Sequence, residues 1–172
     1  MGVIVTFKLT GDGWAECSLN IDGQKIAMTA SYLSHALESL LQGTIDILQG
    51  YPKATVLFDE EPGEYRWLFT RINEQQIKVK ILWFDELWGN EPDENGQVIF
   101  EANCRLRTFA GEILSASQKV LSDNGLTGYK NKWHKHDFPG ALQNELKQLL
   151  VEGRNLKPWD DSTMMMKLLL SS

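Results

Sequence analysis

The chain has 172 residues, of which 42% are hydrophobic and 23% charged, and its formal net charge is −6. This length buries a core in one domain without disulfides or metal, and the composition excludes a disordered class. The negative charge disfavours nucleic acid and anionic membranes as partners. Because no apolar run approaches the roughly 20 residues of a membrane span and no cleavable leader pattern is present, we expect a cytoplasmic protein.

Strict alternation of apolar residues over the first thirty positions predicts a three-stranded antiparallel meander. Asp22-Gly23 is a preferred two-residue hairpin turn, because both positions tolerate a positive φ. Cys17 and Cys104 each fall on the apolar side of an alternating run, where a thiol packs as a small hydrophobic group. We therefore expect two buried free cysteines and no disulfide.

The apolar period then lengthens from two to about 3.6 residues, which predicts a helix. Ser31 or Ser34 is expected to cap its start, and Gly50 and Pro52 end it. Its apolar stripe consists of Leu33, Leu37, Leu40, Leu41, Thr44, Ile45 and Leu48.

A second meander follows, with strands predicted near 53–59, 64–72, 76–85 and 97–106. In the second and third of these strands, the aromatic row Tyr65, Trp67 and Phe69 and the row that includes Trp83 are expected to face the core.

Two further helices are predicted after the second meander. One runs from Thr108 to just before Gly125, and the other begins near Asp137, which is expected to cap it, with Pro139 in the first turn.

The resulting order, βββ-α-ββββ-α-α, predicts an α+β fold: a mostly antiparallel sheet with helices packed on one face. Residues 1–152 are expected to form a single domain. Residues 153–172 form a C-terminal tail that either docks as a short helix or stays loose.

The negative charge is concentrated in residues 59–94, which hold ten acidic and four basic residues, while the rest of the chain has equal numbers of each. Two Phe-Asp-Glu triplets, 58–60 and 84–86, lie in this segment. Successive hairpins bring both triplets to the same end of a sheet, two strand spacings apart. We call the residues gathered there the acidic rim: Asp59, Glu61, Glu64, Asp85, Glu86 and Trp88.

Three interpretations of the acidic rim remain open. The favoured one is a non-enzymatic binding protein without a cofactor, in which Trp88 anchors a basic protein surface and the carboxylates steer it. The alternative is a metal-dependent hydrolase that uses the same carboxylates as ligands or as an acid/base pair. The third is that solvated acids simply collect at strand ends. A structural subunit whose exposed face serves self-association is a further hypothesis for the chain, and its oligomeric state is left open.

The histidines give only a weak indication of a metal site. His134 and His136 have the spacing of a metal-binding pair, but the sequence supplies no third ligand at a suitable spacing. The segment is therefore expected to be a surface loop in which Trp133 and Phe138 pack. His35 is expected at the boundary of the first helix's apolar stripe.

A resemblance to known proteins rests on five segments: GWAECSLNI, SYLSHALESLL, FDEEPGEYRW, ILWFDELWGN and YKNKWHKHDFP. Together they resemble a family of small, uncharacterised bacterial cytosolic proteins over most of the chain. In size, acidity and layout the chain is also similar to immunity proteins that neutralise bacterial toxins. The first resemblance implies no established activity, and neither assigns a role to a residue.

Overall fold

The computed structural model describes residues 2–88, 90–134, 136–153 and 170. The predicted α+β class and the order βββ-α-ββββ-α-α are confirmed. The strands are β1 (Val3–Gly11), β2 (Trp14–Ile21), β3 (Gln24–Ser31), β4 (Lys53–Asp59), β5 (Glu64–Arg71), β6 (Gln76–Phe84) and β7 (Gln97–Arg105). The helices are α1 (Ala36–Leu48), α2 (Leu106–Lys132) and α3 (Gly140–Glu152). Apart from Gly153 and Leu170, the predicted C-terminal tail lies outside the described residues.

The strands are antiparallel and form two sheets, β1-β2-β3 and β4-β5-β6-β7. Each sheet has one apolar face. The apolar faces of the two sheets and the three helices together form one buried hydrophobic cluster. The rings of Phe7 in β1 and Phe58 in β4 meet edge-to-face with their centroids 6.1 Å apart, so the two sheets share a core.

The predicted turn at Asp22-Gly23 is confirmed. Ile21 pairs with Gln24, and the two turn residues have φ values of 50° and 91°. The Asp22 carboxylate also accepts a hydrogen bond from the Gly2 N–H at 2.8 Å, which ties the start of the chain to this turn.

Helix α1 buries most of the predicted stripe against the core and ends at Leu48, before Gly50 as predicted, but neither Ser31 nor Ser34 is its N-cap. His35 occupies the N-cap position, and its side chain makes no capping hydrogen bond. The Ser34 hydroxyl instead accepts a hydrogen bond from the Asp59 N–H at 3.0 Å, and the Ser39 hydroxyl accepts one from the Leu57 N–H at 3.0 Å. These serines therefore bind the outer edge of β4.

The two later helices differ from prediction in part. Helix α2 consists of two helical segments that meet at Gly125, whose non-helical φ of 68° and ψ of 174° end the first segment where predicted; the second segment, which was not predicted, runs to Lys132. Helix α3 begins at Gly140 after an N-cap at Pro139, so Asp137 is not its cap. Asp137 instead lies 3.1 Å from the Lys130 ammonium, because the connection between α2 and α3 turns back along α2.

The cysteine prediction is confirmed for burial: Cys17 and Cys104 are both buried free thiols. Burial raises the pKa of the Cys104 thiol to about 12, so it stays protonated at neutral pH. No helix in the described part of the chain has the length and apolar character needed to cross a membrane.

Candidate partner-binding site

The strand register gathers the acidic rim at one end of the four-stranded sheet. Asp59 pairs with Glu64 across β4 and β5, and Glu64 pairs with Phe84 across β5 and β6. Asp85 and Glu86 follow directly on Phe84. Since neighbouring strands lie about 4.8 Å apart, residues far apart in sequence become neighbours here, as the successive hairpins predict.

Two backbone segments meet at this end of the sheet. One is the β4–β5 turn, which contains Glu61 and a cis Glu61–Pro62 peptide bond, and the other is the rim loop, residues 85–88 and 90–96. The Leu87 N–H donates to the Pro62 carbonyl at 2.9 Å. This hydrogen bond holds the rim loop against the turn.

Trp88 is the exposed aromatic residue of the rim, with 67% of its surface accessible. Its indole Nε1–H donates to Asp59 Oδ2 at 3.2 Å. Its φ of 57° is a left-handed conformation that bulky residues rarely adopt. The side chain is thus displayed to solvent from a loop that hydrogen bonds fix to the sheet.

Trp83 lies on the core face of β6, as its parity predicts, but at the border of the core. It is half-buried against Tyr65, with ring centroids 4.8 Å apart, and its Nε1–H donates to Asp85 Oδ1 at 2.8 Å. Trp67 and Phe69 are fully buried, while Tyr65 is partly exposed.

Two of the rim carboxylates are buried, which the sequence did not indicate. Asp59 is 7% exposed and Glu64 is 6% exposed, on the outer face of the sheet. The rim loop folds back across this face, where Leu82 and Phe84 are also buried. Asp59 and Glu64 therefore lie under the rim loop, largely out of reach of solvent, whereas Glu61, Asp85 and Glu86 are exposed.

Arg66 joins the buried acids to the rim loop and was not predicted as part of the site. Its guanidinium lies 3.6 Å from Glu64, 2.9 Å from Asp93, and 4.1 Å from the centroid of the Phe84 ring. It also donates to the Glu91 carbonyl at 2.7 Å. The signal in the sequence was its position two residues after Glu64, on the same face of β5.

The pKa values of the two buried carboxyl groups, Asp59 and Glu64, are raised. Burial raises the pKa of Asp59, and the hydrogen bond from Trp88 opposes this in part. Burial also raises the pKa of Glu64; the nearby Arg66 opposes the rise, and the charge of Asp59 adds to it. Both carboxyl groups therefore favour their protonated form more in the folded protein than in the unfolded chain.

We expect Asp59→Asn to flatten the dependence of stability on pH. A folded-state pKa raised above the unfolded value stabilises the protein below the unfolded value, and this contribution is lost as pH rises through the folded pKa. Wild type should therefore lose stability relative to the variant between about pH 4 and neutrality, since asparagine has no charge to desolvate. Urea unfolding at a series of pH values measures the difference; a constant difference across the range would contradict it.

The exposed acids surround an open groove of about 440 Å³ at the end of β6. Trp83, Asp85, Glu86, Glu91 and Asn95 line part of it. In the described part of the chain, no Lys, Arg or His nitrogen lies within 4.0 Å of the carboxylates of Glu61, Asp85, Glu86 or Glu91. Their negative charge is therefore not neutralised by a direct ion pair with a described residue.

Among residues 2–88, 90–134, 136–153 and 170, no group of three or more His, Cys, Asp or Glu has an arrangement that could hold a metal ion. The metal-dependent hydrolase stays a prediction.

Comparison of the chain with protein-family models, with curated proteins and with solved structures found no match in any of the three.

Proposed function

We propose that this chain is a non-enzymatic, cytoplasmic bacterial protein that binds a cationic protein surface through the acidic rim, in the manner of a toxin-immunity protein. The observation that carries the proposal is Trp88, whose exposed indole is fixed by Asp59 beside carboxylates without a described basic partner. Large aromatic anchors contribute most of the binding energy in many interfaces, and surrounding charges set orientation and association rate.

Fixing the indole before binding favours affinity. A side chain already held in one geometry loses less conformational entropy on association, and the Asp59 and Leu87 hydrogen bonds supply this restraint. The rim residues thereby divide into two roles. Asp59 and Glu64 support the loop from beneath it, and Glu61, Asp85, Glu86 and Trp88 contact the partner.

The partner is expected to be basic because no described basic residue forms an ion pair with the exposed carboxylates of the rim. A surface rich in Lys and Arg gains attraction to Asp85 and Glu86, and its cationic groups also pack favourably on an indole face. An acidic partner is repelled by the same carboxylates, so charge sets specificity as well as affinity.

We expect the double variant Asp85→Lys with Glu86→Lys to weaken binding at least about tenfold. Each exposed ion pair contributes up to about 1 kcal/mol, and reversal replaces attraction with repulsion. The protein is used to capture partners from an extract of its native host, and the captured protein is identified, purified and titrated calorimetrically. Wild-type affinity should fall between about 0.05 and 0.5 M salt, because added salt screens exposed charges.

The matched control is Glu16→Lys with Glu152→Lys, which makes the same change in net charge at exposed positions in β2 and α3. This control should bind like wild type. Equal affinity of the rim variant and wild type, or equal loss in both double variants, would remove the support for a specific acidic rim.

A further inference from the structure

The rim loop is attached to the four-stranded sheet near both of its ends. Near its start, the Leu87 N–H donates to a carbonyl of the β4–β5 turn at 2.9 Å. At its end, a Cβ atom on Gly96 would lie 2.7 Å from the Phe84 ring and 2.9 Å from the Leu82 Cβ atom. The backbone at Gly96 therefore packs directly on the outer face of β6, and residues 91–95 lie between the two attachments.

Arg66 of β5 attaches this middle segment to the sheet. Its Nη1 atom donates to the Glu91 carbonyl at 2.7 Å and to the Asp93 carboxylate at 2.9 Å. Its Nε atom lies 3.6 Å from Glu64, and its guanidinium carbon lies 4.1 Å from the centroid of the Phe84 ring. Only 11% of the side chain is exposed. The guanidinium is thus enclosed between the loop and the sheet and contacts both.

The charges at this end of the sheet oppose the closed position of the loop. The rim loop carries five acidic residues and covers two buried carboxyl groups, Asp59 and Glu64. Like charges gathered at such short range repel one another. In the described chain, the two ion pairs at this end of the sheet are both made by Arg66, one with Glu64 under the loop and one with Asp93 in it. Arg66 therefore offsets the repulsion where loop and sheet meet.

We infer that Arg66 is a positioning residue of the acidic rim: it holds the rim loop in the conformation that presents Trp88 and the exposed carboxylates to a basic partner. The inference rests on the proposed function. A positive charge within a surface that attracts cations weakens the attraction, so charge alone gives Arg66 an unfavourable effect on binding. Its favourable effect is geometric, because a loop that is ordered before association loses less conformational entropy on binding.

Arg66→Lys separates geometry from charge, because it leaves the net charge unchanged. Lysine has a single nitrogen at the end of a flexible chain, whereas arginine has a rigid plane with several donors. Lysine therefore does not reproduce the contacts to Glu91, Asp93 and the Phe84 ring together. The matched control is Arg105→Lys, the same substitution at an exposed position at the end of β7.

Amide hydrogen exchange of the full chain measures the attachment of the loop. The Leu87 and Gly96 amides report on the loop, and the Leu19 amide in β2, the central strand of the other sheet, is the reference. In Arg66→Lys, protection of the two loop amides should fall about tenfold relative to Leu19, which is the effect of losing one hydrogen bond to a charged group. In Arg105→Lys it should stay at the wild-type value.

Calorimetric titration with a deca-arginine peptide, used as a cationic probe, measures the effect on binding. Arg66→Lys should bind the peptide about threefold more weakly than wild type, or weaker still, because the loop must then be ordered on association. Arg105→Lys should bind it like wild type. Urea unfolding of each variant establishes that the titrations are made on folded protein.

Glu64→Gln with Arg66→Gln is a second variant for the case in which Arg66→Lys does not fold. It also keeps the net charge, leaves no buried charge unpaired, and should show both effects. Wild-type loop protection or wild-type peptide affinity in the folded variant would overturn the role of Arg66. The proposed function fails separately, if Asp85→Lys with Glu86→Lys binds the peptide as tightly as wild type does.

Discussion

Replacing Trp67 with alanine is expected to lower the free energy of unfolding by about 3–5 kcal/mol, which is the usual loss for a large aromatic side chain in a core. Trp67 is fully buried, and its ring contacts Phe58 at 5.2 Å and Phe69 at 6.3 Å between centroids. Phe58 in turn meets Phe7 of the other sheet. The variant removes the centre of this aromatic row, and urea unfolding followed by circular dichroism measures the loss.

Trp67→Phe is the matched control. No acceptor for the Trp67 indole N–H lies among the described residues, so phenylalanine removes a buried donor that the described chain leaves without a hydrogen bond. We expect a smaller loss of about 1–2 kcal/mol, from the reduced volume. Equal losses in the alanine and phenylalanine variants would show that the site depends on the indole N–H rather than on packing.

Gly63→Ala is expected to lower the free energy of unfolding by about 2–3 kcal/mol and to disturb the acidic rim. A Cβ atom at this position would lie 2.2 Å from the Phe84 carbonyl oxygen and 2.5 Å from two carbons of the Trp83 ring. Relief requires the β4–β5 turn to move away from the end of β6. Such a movement also displaces Pro62, which holds Leu87 of the rim loop.

Gly111→Ala in α2 provides a control for adding a methyl group. A Cβ atom there meets nothing within 4 Å, and alanine favours a helix over glycine by up to about 1 kcal/mol. This variant should unfold at the same urea concentration as wild type or a higher one. Total tryptophan fluorescence should change in the Gly63 variant alone, because the displaced turn contacts the Trp83 ring and holds the loop that carries Trp88. If Gly63→Ala had the same free energy of unfolding as wild type, this result would contradict the close approach of the β4–β5 turn to the end of β6.

Local patterns in the sequence were sufficient to predict the elements. Alternation located the strands, and Asp22-Gly23 has the turn that its residue types favour. Hairpin connectivity was also enough to place Asp59, Glu64 and Asp85 at one end of a sheet, because short turns leave few alternatives. These predictions depend on residues close together in the chain.

Burial of Asp59 and Glu64 was not predictable in this way. It depends on the rim loop folding back over the outer face of the sheet, where Arg66 makes contacts to Glu91 and Asp93, 25 and 27 residues away. The His136 ring hydrogen-bonds to the Tyr32 carbonyl, 104 residues away. Neither contact has a local pattern, because tertiary packing brings the partners together.

The serine hydroxyls that bind β4 have a consequence for self-assembly. An edge strand with free N–H groups is a template on which strands of other molecules add, and this is how ordered aggregates grow. Ser34 and Ser39 already occupy the Asp59 and Leu57 donors, so an incoming strand must first displace α1 from this border. The helix that completes the core therefore also blocks sheet extension on that side.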